Sequence, residues 1–221
     1  MKKELIAMLT WHDVTVKDAK EVFLSAKDAP TKHWGFKIEG TTPDSMKELA
    51  QCMKDNGKKV YIEMLAIDEP SCIEGAKLCV QCGVVDHVLG TVYYESVAKI
   101  LHDANILYSP FVGLAADTHL RGSIDSIVEK ARDAENKDIF GINLSAFRYM
   151  DGDPKDLLRA IDKAVKKPFS IAGSVNSYDR LDFLKTLDNL YAFTIGGAFF
   201  EKKFGDTFGE QIAKVVEYIN A

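Results

Sequence analysis

The 221 residues carry 28 basic and 33 acidic side chains, a formal net charge of -5. Apolar residues make up 47% and charged residues 28%, the balance of a globular chain long enough to bury a sizeable core. No basic block or stripe stands out, which argues against a nucleic-acid partner. No apolar run approaches the roughly eighteen residues of a membrane helix, so no membrane partner is expected either.

The chain opens with MKKELIAMLTWHDV. Its apolar run is short and flanked by Glu4 and Asp13, which fits a first strand better than a signal peptide and places the protein in the cytoplasm. Strand-like runs then recur: LIAML (5–9), WGFKIE (34–39), VYIEMLA (60–66), HVLGTV (87–92), LYSPFVG (107–113), FGINLSA (140–146), FSIAGSV (169–175) and AFTIGG (192–197). Between them lie amphipathic, helix-like stretches at 16–28, 43–56, 70–82, 94–104, 123–136, 154–165, 177–187 and 207–220. Thr42-Pro43-Asp44 supplies a cap, a first-turn proline and a first-turn acid, and Glu69-Pro70 and Asp153-Pro154 repeat the device. Gly57 and Gly83 stand where helices should end.

Eight strand–helix units without a linker or composition shift predict a single (β/α)8 barrel over residues 1–221. An open doubly wound sheet is the alternative, and eight units fit it less well. The stretch LAADTHLRG (114–122) is a long connection, either a lid or variable surface. The four cysteines fall in predicted helices. Cys79 and Cys82 have C-x-x-C spacing, but no second pair or nearby histidine completes a zinc set, so they are read as small core residues.

Side chains alternate along a strand, and barrel active sites lie at the strands' C-terminal ends. With Trp34, Phe36 and Ile38 facing the helices, Lys37 and Glu39 face the lumen. Val60, Ile62 and Met64 outward put Tyr61, Glu63 and Leu65 inward. Phe140, Ile142 and Leu144 outward put Gly141, Asn143 and Ser145 inward. Lys37, Glu39, Glu63 and Asn143 are therefore the candidate catalytic residues. A lysine between two glutamates can be a structural network, or an acid–base site in which a carboxylate removes a proton next to a carbonyl and the ammonium stabilises the enolate. A lysine of lowered pKa is alternatively a Schiff-base nucleophile. His12 and Asp13 reach the same rim; His119, Arg121 and Arg148 are placed to close over an anion.

Two small-residue turns end the seventh and eighth runs: Ala172-Gly173-Ser174 and Ile195-Gly196-Gly197-Ala198. Small residues let backbone N–H groups approach a ligand, and a helix start adds unpaired donors. Gly173, Ser174, Gly196 and Gly197 are thus candidate phosphate-binding residues, with room for a short helix before Thr207. These two turns, with SIAGSVNSYDRL and AFTIGGAFF around them, resemble the paired phosphate motifs of the ribulose-phosphate-binding barrel superfamily. The motif match covers about the last fifth of the chain, and the eightfold order extends it more loosely to the rest. The resemblance implies a phosphorylated small-molecule ligand. It does not fix a reaction. The H-x-D and histidine metal site of the phosphopentose epimerases is replaced by Lys37-x-Glu39 and Glu63, so no metal or other cofactor is expected. The D-x-K-x-x-D of the decarboxylase-like lyases is absent, as are the aspartates of the sugar-isomerising histidine-biosynthesis barrels. Lys37, Glu63 and Asn143 resemble the palette of the indole-forming tryptophan-pathway barrel, which has an Asn on strand 6, but the strands that carry the lysines do not correspond.

The expected function is a metal-independent isomerase or epimerase acting on a small phosphorylated sugar or related phosphate ester. Lyase or aldolase chemistry through Lys37 and a non-catalytic regulator that binds a phosphometabolite are the alternatives. A pure sensor has no need of a buried Lys–Glu pair. Barrel enzymes often form homo-oligomers, but no interface is marked in the sequence.

Overall fold

The structure, a computed structural model, describes residues 2–221. Eight parallel strands close into a barrel: β1 (Glu4–Met8), β4 (His33–Lys37), β5 (Lys59–Met64), β6 (His87–Val92), β7 (Leu107–Phe111), β8 (Ile142–Leu144), β9 (Phe169–Ile171) and β10 (Leu190–Ile195). Closure is made by β1, which pairs with β10 through Ile6 and Thr194 and with β4 through Met8 and Gly35. The helices α1 (Ala19–Ala26), α2 (Pro43–Asp55), α3 (Glu69–Cys82), α4 (Glu95–Asp103), α5 (Ile124–Glu135), α6 (Pro154–Ala164), α7 (Tyr178–Lys185) and α9 (Phe208–Asn220) alternate with the strands. The expected (β/α)8 barrel is what forms, and the doubly wound alternative falls away. Among the described residues no helix is long and apolar enough to cross a membrane.

Local chemistry explains the helix boundaries. Thr42 and Ser45 form a reciprocal capping box at α2, with Pro43 in the first turn. Asp68, rather than Glu69, caps α3 by accepting from the Ser71 N–H. Gly83 ends α3 at φ 78°, where a Cβ would be strained.

Alternation divides the strands between two cores. Leu5, Ala7, Leu9, Trp34, Phe36, Val60, Ile62, Ile142 and Leu144 join the layer between barrel and helices. Ile6, Met8, Tyr61, Leu89 and Ala192 fill the lumen. Gly35 makes this filling possible, because a Cβ there would stand 2.6 Å from the Met8 sulfur. One expectation is corrected. Phe140 does not face the helices; it packs edge-on against His87, with ring centroids 5.1 Å apart, and against Tyr191 at 5.2 Å. The strand starts only at Ile142, so the period-two rule does not reach back to Phe140.

Phe140 belongs to an aromatic floor with His33, Tyr61, His87 and Tyr191. The Tyr61 hydroxyl sits 2.8 Å from His33 Nδ1 and 3.1 Å from the Tyr191 hydroxyl. His87 Nε2 lies 2.9 Å from Ser109 Oγ, while its Nδ1 is buried without a partner. Burial pushes the His87 pKa down to about 3 and also lowers that of His33. Both rings fold neutral. An unfolded chain takes up protons below about pH 6.5 that the folded one refuses, so stability held above that pH is lost as pH falls toward 3. Each such group adds at most about 1.4 kcal/mol per pH unit to the slope. Urea denaturation between pH 7 and 4 should show this slope in the wild type. It should be shallower in His87→Leu, whatever that change does to the midpoint at pH 7.

Candidate active site

At the C-terminal end of the barrel a cavity of about 310 Å³ opens between the strand ends and the loops that follow them. Its charged wall begins with Lys37, the last residue of β4, and Glu63 on neighbouring β5; the two are register partners. Lys37 Nζ is 3.0 Å from Glu63 Oε1 and 2.8 Å from Asp13 Oδ1. Lys37 is only 5% exposed and Glu63 4%, so the ion pairs are what allow these charges to be buried. Burial works against the ammonium, but the charges of Glu63 and Asp13 outweigh it and hold Lys37 above the ordinary lysine range.

Asp13 arrives from a hairpin inserted between β1 and α1. Its strands are β2 (Thr10–Trp11) and β3 (Val14–Thr15), and its two-residue turn is His12-Asp13 at φ 50° and 62°. Two consecutive positive φ values suit the right-handed twist of a hairpin. For residues with a Cβ they cost about 1–3 kcal/mol each, a strain tolerated where the surroundings fix the geometry. Thr15 does the fixing. Its Oγ1 donates to the Lys37 carbonyl at 2.7 Å and accepts from the Lys37 N–H at 2.9 Å. The hairpin is thereby tied to the backbone of the lysine its turn must reach.

Arg148 ends a 3-10 turn (Ala146–Arg148) after β8 and grips Asp13 with both arms. Nη1 lies 2.8 Å from Oδ2 and Nη2 3.0 Å from Oδ1. Burial opposes the Asp13 carboxylate, but the bonds from Arg148 and Lys37 hold its pKa well below the usual range. Nη1 also donates to Thr118 Oγ1 at 2.8 Å, fastening the 114–122 loop. That loop is a small closed hairpin: Leu114 bridges Leu120, and Leu120 is fully buried. Of the rim cations named from sequence, Arg148 therefore lines the cavity. Arg121 does not; it pairs with Asp117 at 2.8 Å on the loop itself.

The two small-residue turns line the same cavity. Gly173 and Ser174 both adopt positive φ, 68° and 58°. The Gly173 N–H donates to Thr194 Oγ1 at 2.7 Å, and the Ser174 carbonyl accepts from Arg180. At Gly196 a Cβ would meet the Thr10 carbonyl oxygen at 2.6 Å, so no side chain fits. Gly197 opens a short helix, α8 (Gly197–Phe200), whose recorded bonds start with Phe199 donating to the Gly196 carbonyl. The N–H groups of Gly197 and Ala198 are left without an intrahelical acceptor. A Cβ at Gly197 would touch only Trp11, at 3.5 Å.

Lys37, Glu63, Gly173, Ser174, Gly196 and Gly197 therefore line one cavity. Two of the expected catalytic residues do not. Glu39 lies past the end of β4, where the chain turns at Gly40 (φ 89°) and alternation no longer sets direction. Its Oε1 accepts from the Leu65 N–H at 3.2 Å instead. Asn143 is fully buried and outside the cavity lining. Its Oδ1 accepts from Ser170 at 2.8 Å, and its Nδ2 has no partner. Among the described residues no group of three or more His, Cys, Asp or Glu side chains is placed to hold a metal ion.

Removing Lys37 alone leaves the Glu63 carboxylate, 4% exposed, without its cation, a defect of about 3–5 kcal/mol. Lys37→Met should lose that much in chemical denaturation. Lys37→Met/Glu63→Leu should recover most of it, giving a coupling energy well beyond additivity.

No family model matches the sequence, and no curated protein sequence does. Solved structures match across the whole chain. Orotidine 5'-phosphate decarboxylase from Pyrococcus horikoshii OT3 aligns with TM-score 0.74 at 11% identity, covering 98% of this chain and 99% of the other. Orotidine 5'-monophosphate decarboxylase from Methanocaldococcus jannaschii, solved with the inhibitor BMP, aligns with TM-score 0.70 at 15% identity over 100% of both chains. Tryptophan synthase subunit alpha from Legionella pneumophila str. Paris aligns with TM-score 0.66 at 10% identity, covering 99% and 93%. At these identities the likeness establishes the fold alone, a closed (β/α)8 barrel over the whole chain.

Proposed function

We propose that the protein is an enzyme acting on a small phosphorylated sugar or related phosphate ester, moving a proton next to a carbonyl. The observation that carries this reading is the buried Lys37–Glu63 pair, 3.0 Å apart, in a cavity that the two glycine turns also line. A carboxylate and an ammonium on neighbouring strand ends are the two groups an enolisation needs. Glu63 takes the proton, and Lys37 offers its positive charge to the developing enolate oxygen. The ammonium fills the electrostatic role that a metal would otherwise have. A Schiff base requires the neutral amine, which the carboxylates of Glu63 and Asp13 oppose, so isomerisation or epimerisation is favoured over aldolase chemistry. Gly173, Ser174, Gly196 and Gly197 form the phosphate cradle. Glu39 and Asn143 have no place in this reading.

A thermal-shift screen of sugar phosphates, each beside its unphosphorylated sugar, tests the cradle. A ligand at about a hundred times its Kd stabilises by roughly 2.7 kcal/mol, a shift of about 5–10 °C for a domain of this size. The shift should require the phosphate. It should vanish in Gly197→Val, whose first carbon has room and whose methyl groups fill the space over the turn. The responding ligand should then exchange a carbon-bound proton for deuterium in D2O, and Glu63→Gln should slow that exchange by about 10²-fold or more. No shift with any phosphate ester would rule the reading out.

A further inference from the structure

The cavity that is to accept a phosphate has the wrong charge for it. Two cations, Lys37 and Arg148, face three carboxylates, Asp13, Glu63 and Glu201. Lys37 is held by Glu63 and Asp13. Backbone N–H groups alone are a weak counter-charge for a dianion, and phosphate sites draw on bidentate arginine where one is in reach. Arg148 is in reach: its Nη2 is 3.9 Å from where a Gly173 Cβ would stand, against the first small-residue turn. Both of its arms are nevertheless occupied by Asp13, at 2.8 and 3.0 Å.

Building on the phosphate reading above, we infer that Arg148 is the counter-charge of the bound phosphate and that Asp13 and the ligand compete for it. Asp13 keeps the guanidinium neutralised. When a phosphate enters the cradle, at least one arm of Arg148 turns to it, and a carboxylate oxygen of Asp13 is released into the cavity. Asp13 thus opposes ligand binding through Arg148, beyond any field it exerts as a nearby negative charge.

A double-mutant cycle separates these effects. Inorganic phosphate is titrated at fixed pH and ionic strength into the wild type, Arg148→Gln, Asp13→Asn and the double variant. The signal is the fluorescence of Trp11, which lines the cavity, with thermal shift as the second readout. Asparagine is at home in the positive-φ turn, so Asp13→Asn keeps the hairpin. Arg148→Gln should weaken binding at least tenfold, and Arg148→Lys should do so in part if the glutamine variant does not fold. Asp13→Asn should tighten binding about tenfold, and that gain should disappear in the double variant. A gain that persists undiminished without Arg148 means Asp13 acts by its field alone and overturns the inference. So does an Arg148→Gln protein that binds as the wild type does. A wild type indistinguishable from Gly197→Val, with no response to phosphate, overturns the cradle itself.

Discussion

A lysine ammonium that is 5% exposed cannot be left without anions, and the mouth of this barrel is arranged around that requirement. Glu63 meets it from the neighbouring strand and Asp13 from a hairpin. Arg148 then balances the second charge of the pair of acids, and Thr118 accepts from Arg148 in turn. Each link brings a further segment to the rim: β5, the β2–β3 hairpin, the turn after β8 and the 114–122 loop. The polar chain is therefore also the device that fixes the loops. Geometry and chemistry at this end of the molecule are one problem.

The other end of the barrel solves a different one. There the lumen is closed by neutral groups, His33, Tyr61, His87, Phe140 and Tyr191, joined by ring contacts and short polar bonds. His33 Nε2 also lies 3.5 Å from Glu4 Oε2, and the inner apolar cluster of Ile6, Met8, Tyr61 and Leu89 lies in the same lumen as the charged mouth. This is the division of labour expected of such barrels, with stability at the N-terminal face and reactivity at the C-terminal face.

How much of this was legible follows from the reach of each rule. Alternation placed Lys37 and Glu63 correctly because both lie inside regular strands, paired to each other in register. It misplaced Glu39 and Phe140 because each lies just outside a strand, where direction is set by a turn rather than by the pleat. The glycine turns were visible because no other residue type fits Gly196 against the Thr10 carbonyl. In the sequence Asp13 and Arg148 stand out only as rim residues. Their meeting depends on 135 residues of separation, and no local pattern encodes it. The hairpin has no turn signature in the sequence, since His-Asp is an uncommon choice for its two-residue turn. Thr15, which locks it to Lys37, carries no chemical signature in the sequence.

That hairpin has an evolutionary consequence. The strands that supply Lys37 and Glu63 are woven into the closed sheet, so their positions cannot change without disturbing pairing on both sides. Asp13 is carried instead by six residues, Thr10 to Thr15, that form a separate two-stranded sheet of their own. A change of length or turn there can withdraw one carboxylate, or substitute another group, while the barrel wall stays as it is. In this architecture the hairpin is the part in which a descendant could change the groups around the lysine while inheriting the lysine itself.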